Sequence, residues 1–313
     1  MKHERGVNIA VVGAHTNAYL MKCCRLPTPG EYIIAEKYEQ SLDGAKGSNQ
    51  ALAAARLGAK VFLITRFGND ENGKFALDYL KSNGVDMSYS TVSDTCPTGF
   101  GIAFIDRDGV PMGASELGAV KEFNIEHVNM AFPGFEKSDI LLVQLEINLD
   151  AALYACKKGK EHNMMVILNP SPADDLRGLP LKHIDILTPN EPEAKLLAGI
   201  SPMEDIPAYK LARELHRLSG VENIILTLGS KGAYIKNSNS ELHIPCPKVK
   251  AVDTSGAGDC FNASLAFALG NKVPLEKAVE FAVKTASLSV TKPQVWPSYP
   301  TLQEVLEHYG PIL

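Results

Sequence analysis

Short, unbroken apolar runs alternate along the chain with longer segments whose apolar residues recur at helical spacing. Ile9 to Val12 is the first such run, rich in β-branched residues and closed by Gly13. It predicts a parallel strand buried on both faces, with a loop at its carboxyl end. Similar strands are predicted at Val61 to Ile64, Ile140 to Gln144, Met164 to Leu168, Asp185 to Leu187 and Asn223 to Leu228, with a further short one near Met87 to Thr91. Helical segments separate them: Ala51 to Leu57 stopped by Gly58, and Asn72 to Leu80 with Gly84 beyond. A very apolar helix is predicted to open near Gly256 and run from Phe261 to Leu269, with Gly270 as its stop; Leu275 to Thr291 and Leu302 to His308 complete the series. This order predicts an α/β fold with a mainly parallel central sheet covered on both faces, whose ligands collect at the carboxyl ends of the strands.

Two stretches break the rhythm. Thr16 to Tyr38 is divided by Pro27-Thr28-Pro29-Gly30-Glu31 into two strand-like pieces, and Thr98 to Asp106 and Val110 to Ser115 flank Arg107-Asp108-Gly109, a hairpin signal. About four strands, near 16–40 and 97–116, are therefore expected outside the parallel framework. The chain is read as a single domain, 1–313, carrying these inserts.

Composition changes this picture little. With 45% hydrophobic and 21% charged residues, the chain is an ordinary globular protein, and a net charge of -5 gives no general basic surface for nucleic acid or acidic lipid. No apolar run reaches the roughly 18 residues of a membrane span, and the N-terminus has no signal-peptide pattern, so a cytoplasmic location is expected. Cysteines and histidines fall in no metal-binding spacing, and a chain this long needs no disulfide framework.

The densest chemistry lies at Asp253-Thr254-Ser255-Gly256-Ala257-Gly258-Asp259. A helix opening here would aim the first amides, on Gly256, Ala257 and Gly258, at an anion, with Asp259 beside them as a proton acceptor. The same residues also suit an ordinary helix cap. A dinucleotide pattern GxGxxG would need glycine at Phe261, and GxxxxGK[ST] is absent. A second Gly-rich stretch, Leu42 to Gln50, precedes a helix and carries Lys46; alone, it also reads as a plain loop. Further polar residues end the strands, at Gln144-Leu145-Glu146, Asn169-Pro170-Ser171, Thr188-Pro189-Asn190-Glu191 and Thr227 to Gly232, and Asn190-Glu191-Pro192-Glu193 has the form NxxE. The NxxE form at Asn190 suits either a helix cap or a hydrated magnesium bound mostly through phosphates, and the glycines after Thr227 suit backbone contact with a nucleotide.

The segment from Asp253 to Asp259 resembles the C-terminal signature of the ribokinase family of sugar and nucleoside kinases, with resemblance from about Ile9 to Pro300. It implies a ribokinase-like three-layer α/β/α fold with a small β-sheet lid. It also implies an ATP-dependent kinase acting on a hydroxymethyl group of a sugar, ribose or a related one, or of a nucleoside. A catalytically silent sugar-binding relative is disfavoured by the presence of Asp259. By resemblance, Asp259 is the base, Gly256, Ala257 and Gly258 form the anion hole, and Thr16, Gly44, Lys46, Asn49 and Glu146 face the sugar with Asp259. Asn190, Thr227, Gly229, Ser230, Gly232 and Gly258 line the ATP site, and Glu193 acts on magnesium through water.

The family's monovalent-cation site, for potassium, corresponds to Asp253, Ser255, Ser289, Lys292, Gln294 and Ser298. The loop from Lys292 to Ser298 is bulkier here than the glycine-containing form, so potassium dependence stays open. Packing of two lids into a homodimer is also implied. Three positions depart from the ribokinase pattern: Thr16 replaces an asparagine, Ala18 an aspartate, and Ala45 the second glycine of the sugar loop. The acceptor's identity therefore stays open.

Overall fold

Ile9 and Val11 point into one hydrophobic cluster while Ala10 and Val12 point into another, which is what a strand covered on both faces requires. The computed structural model describes residues 6–107, 111–134, 138–173 and 181–311. The chain begins with β1 (Asn8–Val12), β2 (Thr16–Lys22) and β3 (Lys37–Ser41), then α1 (Ala45–Arg56), β4 (Lys60–Ile64), β5 (Arg66–Gly68) and α2 (Glu71–Ser82). Next come β6 (Val85–Asp86), β7 (Thr91–Ser93), β8 (Thr98–Ile105), β9 (Pro111–Gly118), α3 (Ile125–Ala131), β10 (Ile140–Gln144), α4 (Leu149–Glu161) and β11 (Met165–Asn169). The remainder is β12 (Ile186–Leu187), α5 (Glu191–Leu197), α6 (Ala208–Ser219), β13 (Asn223–Thr227), β14 (Ala233–Lys236), β15 (Glu241–Ile244), α7 (Ala257–Gly270), α8 (Leu275–Ser289) and α9 (Leu302–Tyr309).

The main sheet runs β15-β14-β13-β12-β11-β10-β1-β4-β6, parallel except for the β13-β14-β15 meander. With helices on both faces it forms the expected three-layer α/β/α fold. A second sheet, β3-β2-β8-β9, is the lid, with β2 and β8 parallel and the outer pairs antiparallel. The tip of the expected hairpin, at Asp108 and Gly109, lies outside the described residues. Helix α7 is buried all round from Asp259 to Gly270, and side chains such as Phe261, Leu265 and Phe267 each contribute about 1.5–3 kcal/mol on burial, which fixes it between α1 and α8. Among the described residues no helix is long and apolar enough to cross a membrane.

Several element boundaries differ from expectation. Gly270 does not stop α7 but is its last residue, and the cap is Asn271. A Cβ at position 270 would lie 2.3 Å from Val7 Cγ1, so glycine serves close packing there. Met87 to Ser90 is a turn rather than a strand, closed by Ser90 N donating to Met87 O at 3.0 Å. Asp86 initiates it, its carboxylate accepting from Ser88 N at 2.9 Å, a local bond that competes with sheet pairing. The second lid strand starts only at Lys37, just after Glu36 N donates to Lys22 O at 2.7 Å.

Candidate active site

The chain places β4 and β6 on one side of β1, then returns to place β10 and its successors on the other. The crevice at the carboxyl ends of β1 and β10 is thus the topological switch point. Gly13 and Gln144 meet there. A Cβ on Gly13 would sit 1.9 Å from Gln144 Oε1 and 2.9 Å from Gly47 Cα, and one on Gly47 would sit 2.6 Å from Ala14 O. These glycines let the first turn of α1 seat against the strand, where Ser48 N donates to Ala14 O at 3.1 Å. That anchoring starts the helix at Ala45, six residues before side-chain propensity predicts, and carries Lys46, Asn49 and Gln50 into the crevice.

Asp259, on the first turn of α7, is buried, and both its oxygens are held by amides. Oδ2 accepts from Asn49 Nδ2 and Oδ1 from Gln50 Nε2, each at 3.0 Å. Asn49 Nδ2 also reaches Asp43 Oδ1 at 2.7 Å. Gln50 Oε1 accepts from Gln144 Nε2 at 2.6 Å, and Gln50 Nε2 also donates to Asn169 Oδ1 at 3.2 Å. The chain of bonds continues from Asn169 to Thr188 O, from Thr188 Oγ1 to Asn262 Oδ1, and from Asn262 Nδ2 to Gly258 O. The sequence placed Gln144 and Asn169 among the polar strand ends where a site collects, without a specific role, and gave none to Gln50 or Asn262. Their signal was an amide or hydroxyl at the end of an otherwise apolar strand or helix face, which burial obliges to find partners.

Gly256 begins α7 with φ +71, and a side chain there would strike Val295 Cγ1 at 2.4 Å. No side chain caps this helix: the oxygens of Asp253 instead accept from Ser255 N at 2.9 Å and Gln294 N at 3.1 Å. Ala257 N makes a long bond of 3.3 Å to Thr254 O, whereas the amides of Gly256 and Gly258 have no protein acceptor among the described residues. The space beside Gly258 is open. The positive end of the helix dipole therefore faces open space next to Asp259.

Most of the sugar-side candidates converge on the same crevice. Thr16 N donates to Gly44 O at 3.3 Å, and Lys46 N donates to Glu146 Oε2 at 2.8 Å. Burial pushes the Glu146 carboxyl up to about 7, against the opposing pull of Lys46. Burial alone would lower the Lys46 ammonium, but Asp259, Glu146, Glu193 and Asp43 outweigh it and hold it above its ordinary value. The Asp43 carboxyl is raised, chiefly by burial and further by Asp259. Ala45 sits at φ +58, a conformation that favours the glycine it replaces. Ala18, half-buried on β2, pairs with Ser41 and Gly101. Its neighbours His15 and Asn17 are buried, and His15 Nε2 and Asn17 Nδ2 lack partners among the described residues. Burial lowers the His15 imidazole to about 3, so it is neutral, with Nδ1 2.9 Å from Ser48 Oγ.

The nucleotide candidates lie farther along the same edge of the sheet. Asn190 and Glu193 form a capping box on α5, with Asn190 N donating to Glu193 Oε2 at 2.9 Å and Glu193 N to Asn190 Oδ1 at 2.8 Å. Asn190 also bridges Thr227, after which Gly229 to Gly232 turn back, with φ +57 at Gly229 and +98 at Gly232. Ser230 lies in that turn. No cluster of three or more metal-ligating side chains occurs among the described residues. Glu193 Oε1 has no partner among them, so a magnesium ion fits here only if phosphates and water supply most of its ligands.

The cation-site candidates are partly gathered. Gln294 joins Asp253 and Ser255, at φ +63, while the Ser289 and Ser298 hydroxyls bond to Ala286 O and Val295 O. The Lys292 ammonium turns to Glu304 at 2.8 Å.

The match to known proteins covers nearly the whole chain. The model of the pfkB family carbohydrate kinases matches residues 8–302. A ribokinase of Haemophilus influenzae is 33% identical over 96% of this chain and 97% of its own. A deoxyribokinase of Salmonella typhi is 32% identical over 96% of this chain and 98% of its own. The structure of Arabidopsis thaliana ribokinase complexed with ribose and ATP superposes with a TM-score of 0.86, at 28% identity, over 97% of this chain and 98% of that one. The chain belongs to the pfkB family of carbohydrate kinases, on its ribokinase side, and is an ATP-dependent carbohydrate kinase.

Proposed function

We propose that this kinase transfers the γ-phosphate of ATP to the hydroxymethyl group of a small sugar related to ribose, with fewer hydroxyls to satisfy on the lid side. The observation that carries the chemistry is Asp259, fixed through both oxygens beside the unpaired amides of Gly256 and Gly258. In this reading Asp259 accepts the hydroxyl proton as the oxygen attacks phosphorus, and the amides at the start of α7, Ala257 included, stabilise charge on the transferring group. Glu193 acts through water on magnesium, which when bound neutralises phosphate charge. Asn190, Thr227, Gly229, Ser230 and Gly232 approach the nucleotide.

The substrate reading rests on Ala18. Its side chain accepts no hydrogen bond, and of the neighbours that could compensate Asp43 is engaged by Asn49 and His15 Nδ1 by Ser48, which leaves His15 Nε2 and the Asn17 amide to meet a hydroxyl there. Relatives named ribokinase and deoxyribokinase frame the choice. Coupled ATP-consumption assays over ribose, 2-deoxyribose, hexoses and nucleosides test it. We expect a deoxygenated or differently turned sugar to give the highest kcat/KM. Ribose leading the panel at about 10⁴ M⁻¹s⁻¹ or more overturns that substrate reading, and a nucleoside leading it overturns the sugar class.

The lid also supports assembly. Tyr38, Phe100 and Met112 are exposed on its strands, and Tyr32 and Ile34 project almost fully from the β2–β3 connection. An apolar patch of this kind on a four-stranded open sheet favours pairing with a second lid, so a homodimer is proposed.

A further inference from the structure

Trp296, the only tryptophan in the chain, is buried, in a single helical turn that follows the loop from Lys292. Its backbone N donates to Leu42 O at 2.9 Å, and its indole Nε1 donates to Asn49 Oδ1 at 2.8 Å. The ring stacks on Tyr79 with centroids 4.8 Å apart, and its Cζ2 occupies the space that a Cβ on Gly44 would need. Asn49 Oδ1 accepts a second bond, from Gly44 N at 2.9 Å.

An indole N–H and a backbone N–H can only donate, so together they decide which end of the Asn49 amide is oxygen. A flipped amide would press its NH₂ against two donors. Nδ2 is therefore directed at Asp43 Oδ1 and Asp259 Oδ2, 2.7 and 3.0 Å away. We propose that Trp296 is a positioning residue for Asp259: by locking the Asn49 amide, it keeps one NH₂ bridging two buried carboxylates that would otherwise repel each other. The role rests on Asp259 being the base, as proposed above. Backbone pairing of Trp296 with Leu42 ties the late loop to the sugar-side loop, so the lock is assembled only when both loops are in place.

Because the tryptophan is single, global replacement by β-(3-benzothienyl)alanine changes position 296 alone, exchanging the N–H for sulfur while keeping the ring. Loss of this donor is expected to lower kcat about tenfold. The KM for ATP should hold while kcat falls, a split that a general loss of folding would not give. In an Asn49→Ala background the replacement should have no further effect, since the lock acts through Asn49. An unchanged kcat, a rise in the KM for ATP that matches the fall in kcat, or an equal loss in the Asn49→Ala background overturns the proposal. Trp296→Phe adds a packing loss to the same test, and the benzothienyl protein remains decisive if that variant does not fold. Asp259→Asn examines the underlying reading separately: substantial turnover in that variant removes the base, whatever Trp296 does.

Discussion

Gln50 Nε2 donates to Asp259 Oδ1 at 3.0 Å, and because a carboxylate can only accept, this bond sets which end of the Gln50 amide faces it and leaves Gln50 Oε1 to accept from Gln144 Nε2 at 2.6 Å. The neutral amide stabilises the ionised aspartate without neutralising it. Gln50→Glu keeps the shape and puts a like charge in its place, so one of the two carboxyls must titrate upward. A loss of roughly 10- to 100-fold in kcat near neutrality, narrowing at higher pH, is expected. A profile identical in shape to the wild type would show that Gln50 does not hold the base.

Asp259→Asn preserves the volume and the helix start but removes the proton acceptor. It should lower kcat by roughly 10²- to 10⁴-fold. Nucleotide affinity, measured calorimetrically, should change little, since the expected ATP contacts lie near Asn190 and Thr227. Near-normal turnover would take Asp259 out of the reaction.

Ala45 holds φ +58, where an L side chain is strained. Ala45→Gly relieves that strain, though it also frees the unfolded chain, and the net gain is expected to be about 0.5–1 kcal/mol. Thermal unfolding should show a Tm higher by about 1–3 °C. A lower Tm would mean that the methyl contributes packing worth more than the strain.

Tyr19 stacks on Tyr38 and meets Phe100 edge-on, so the exposed lid face is a continuous aromatic surface. Charge placed on it should oppose pairing of two such faces. Tyr38→Glu combined with Phe100→Glu is expected to turn a dimer into a monomer in light scattering at micromolar concentration. A wild-type monomer under the same conditions removes the proposed interface.

The parallel framework was legible because unbroken runs such as Ile9 to Val12 and Ile140 to Gln144 admit few other packings. The residues around Asp259 were legible in part, since two glycines one residue apart and an acid form a local signal. Gln50 and Trp296 were not, and Gln144 only as a polar strand end. Their contacts span more than 90 residues of sequence, and nothing local distinguishes a glutamine that donates to a buried carboxylate from one on a solvated helix. The start of α1 escaped for the same reason: Gly47 fits against Ala14 only in the folded chain, and tertiary contact overrides helix propensity there. Gly270 misled because glycine near a helix end serves close packing as readily as termination.

Glu146 gives the protein a pH dependence that can be isolated. In the native state its carboxyl keeps a proton up to about pH 7, because burial disfavours the charge more than Lys46 favours it; the ordinary value is 4.5. The native state therefore binds the proton more tightly than the unfolded chain. Its stabilising effect is complete below about pH 4.5 and is lost as pH rises through 7, a difference of about 3 kcal/mol between the two limits. Glu146→Gln stays neutral throughout and still offers an oxygen to Lys46 N, whose bond to Glu146 is 2.8 Å. The variant should gain on the wild type by about 2.5 kcal/mol between pH 5 and pH 8. Urea unfolding at the two pH values measures the difference, in which the other titrating groups cancel. A difference that does not change with pH would mean that Glu146 is already ionised in the fold at pH 5, with the Lys46 ammonium outweighing the cost of burial.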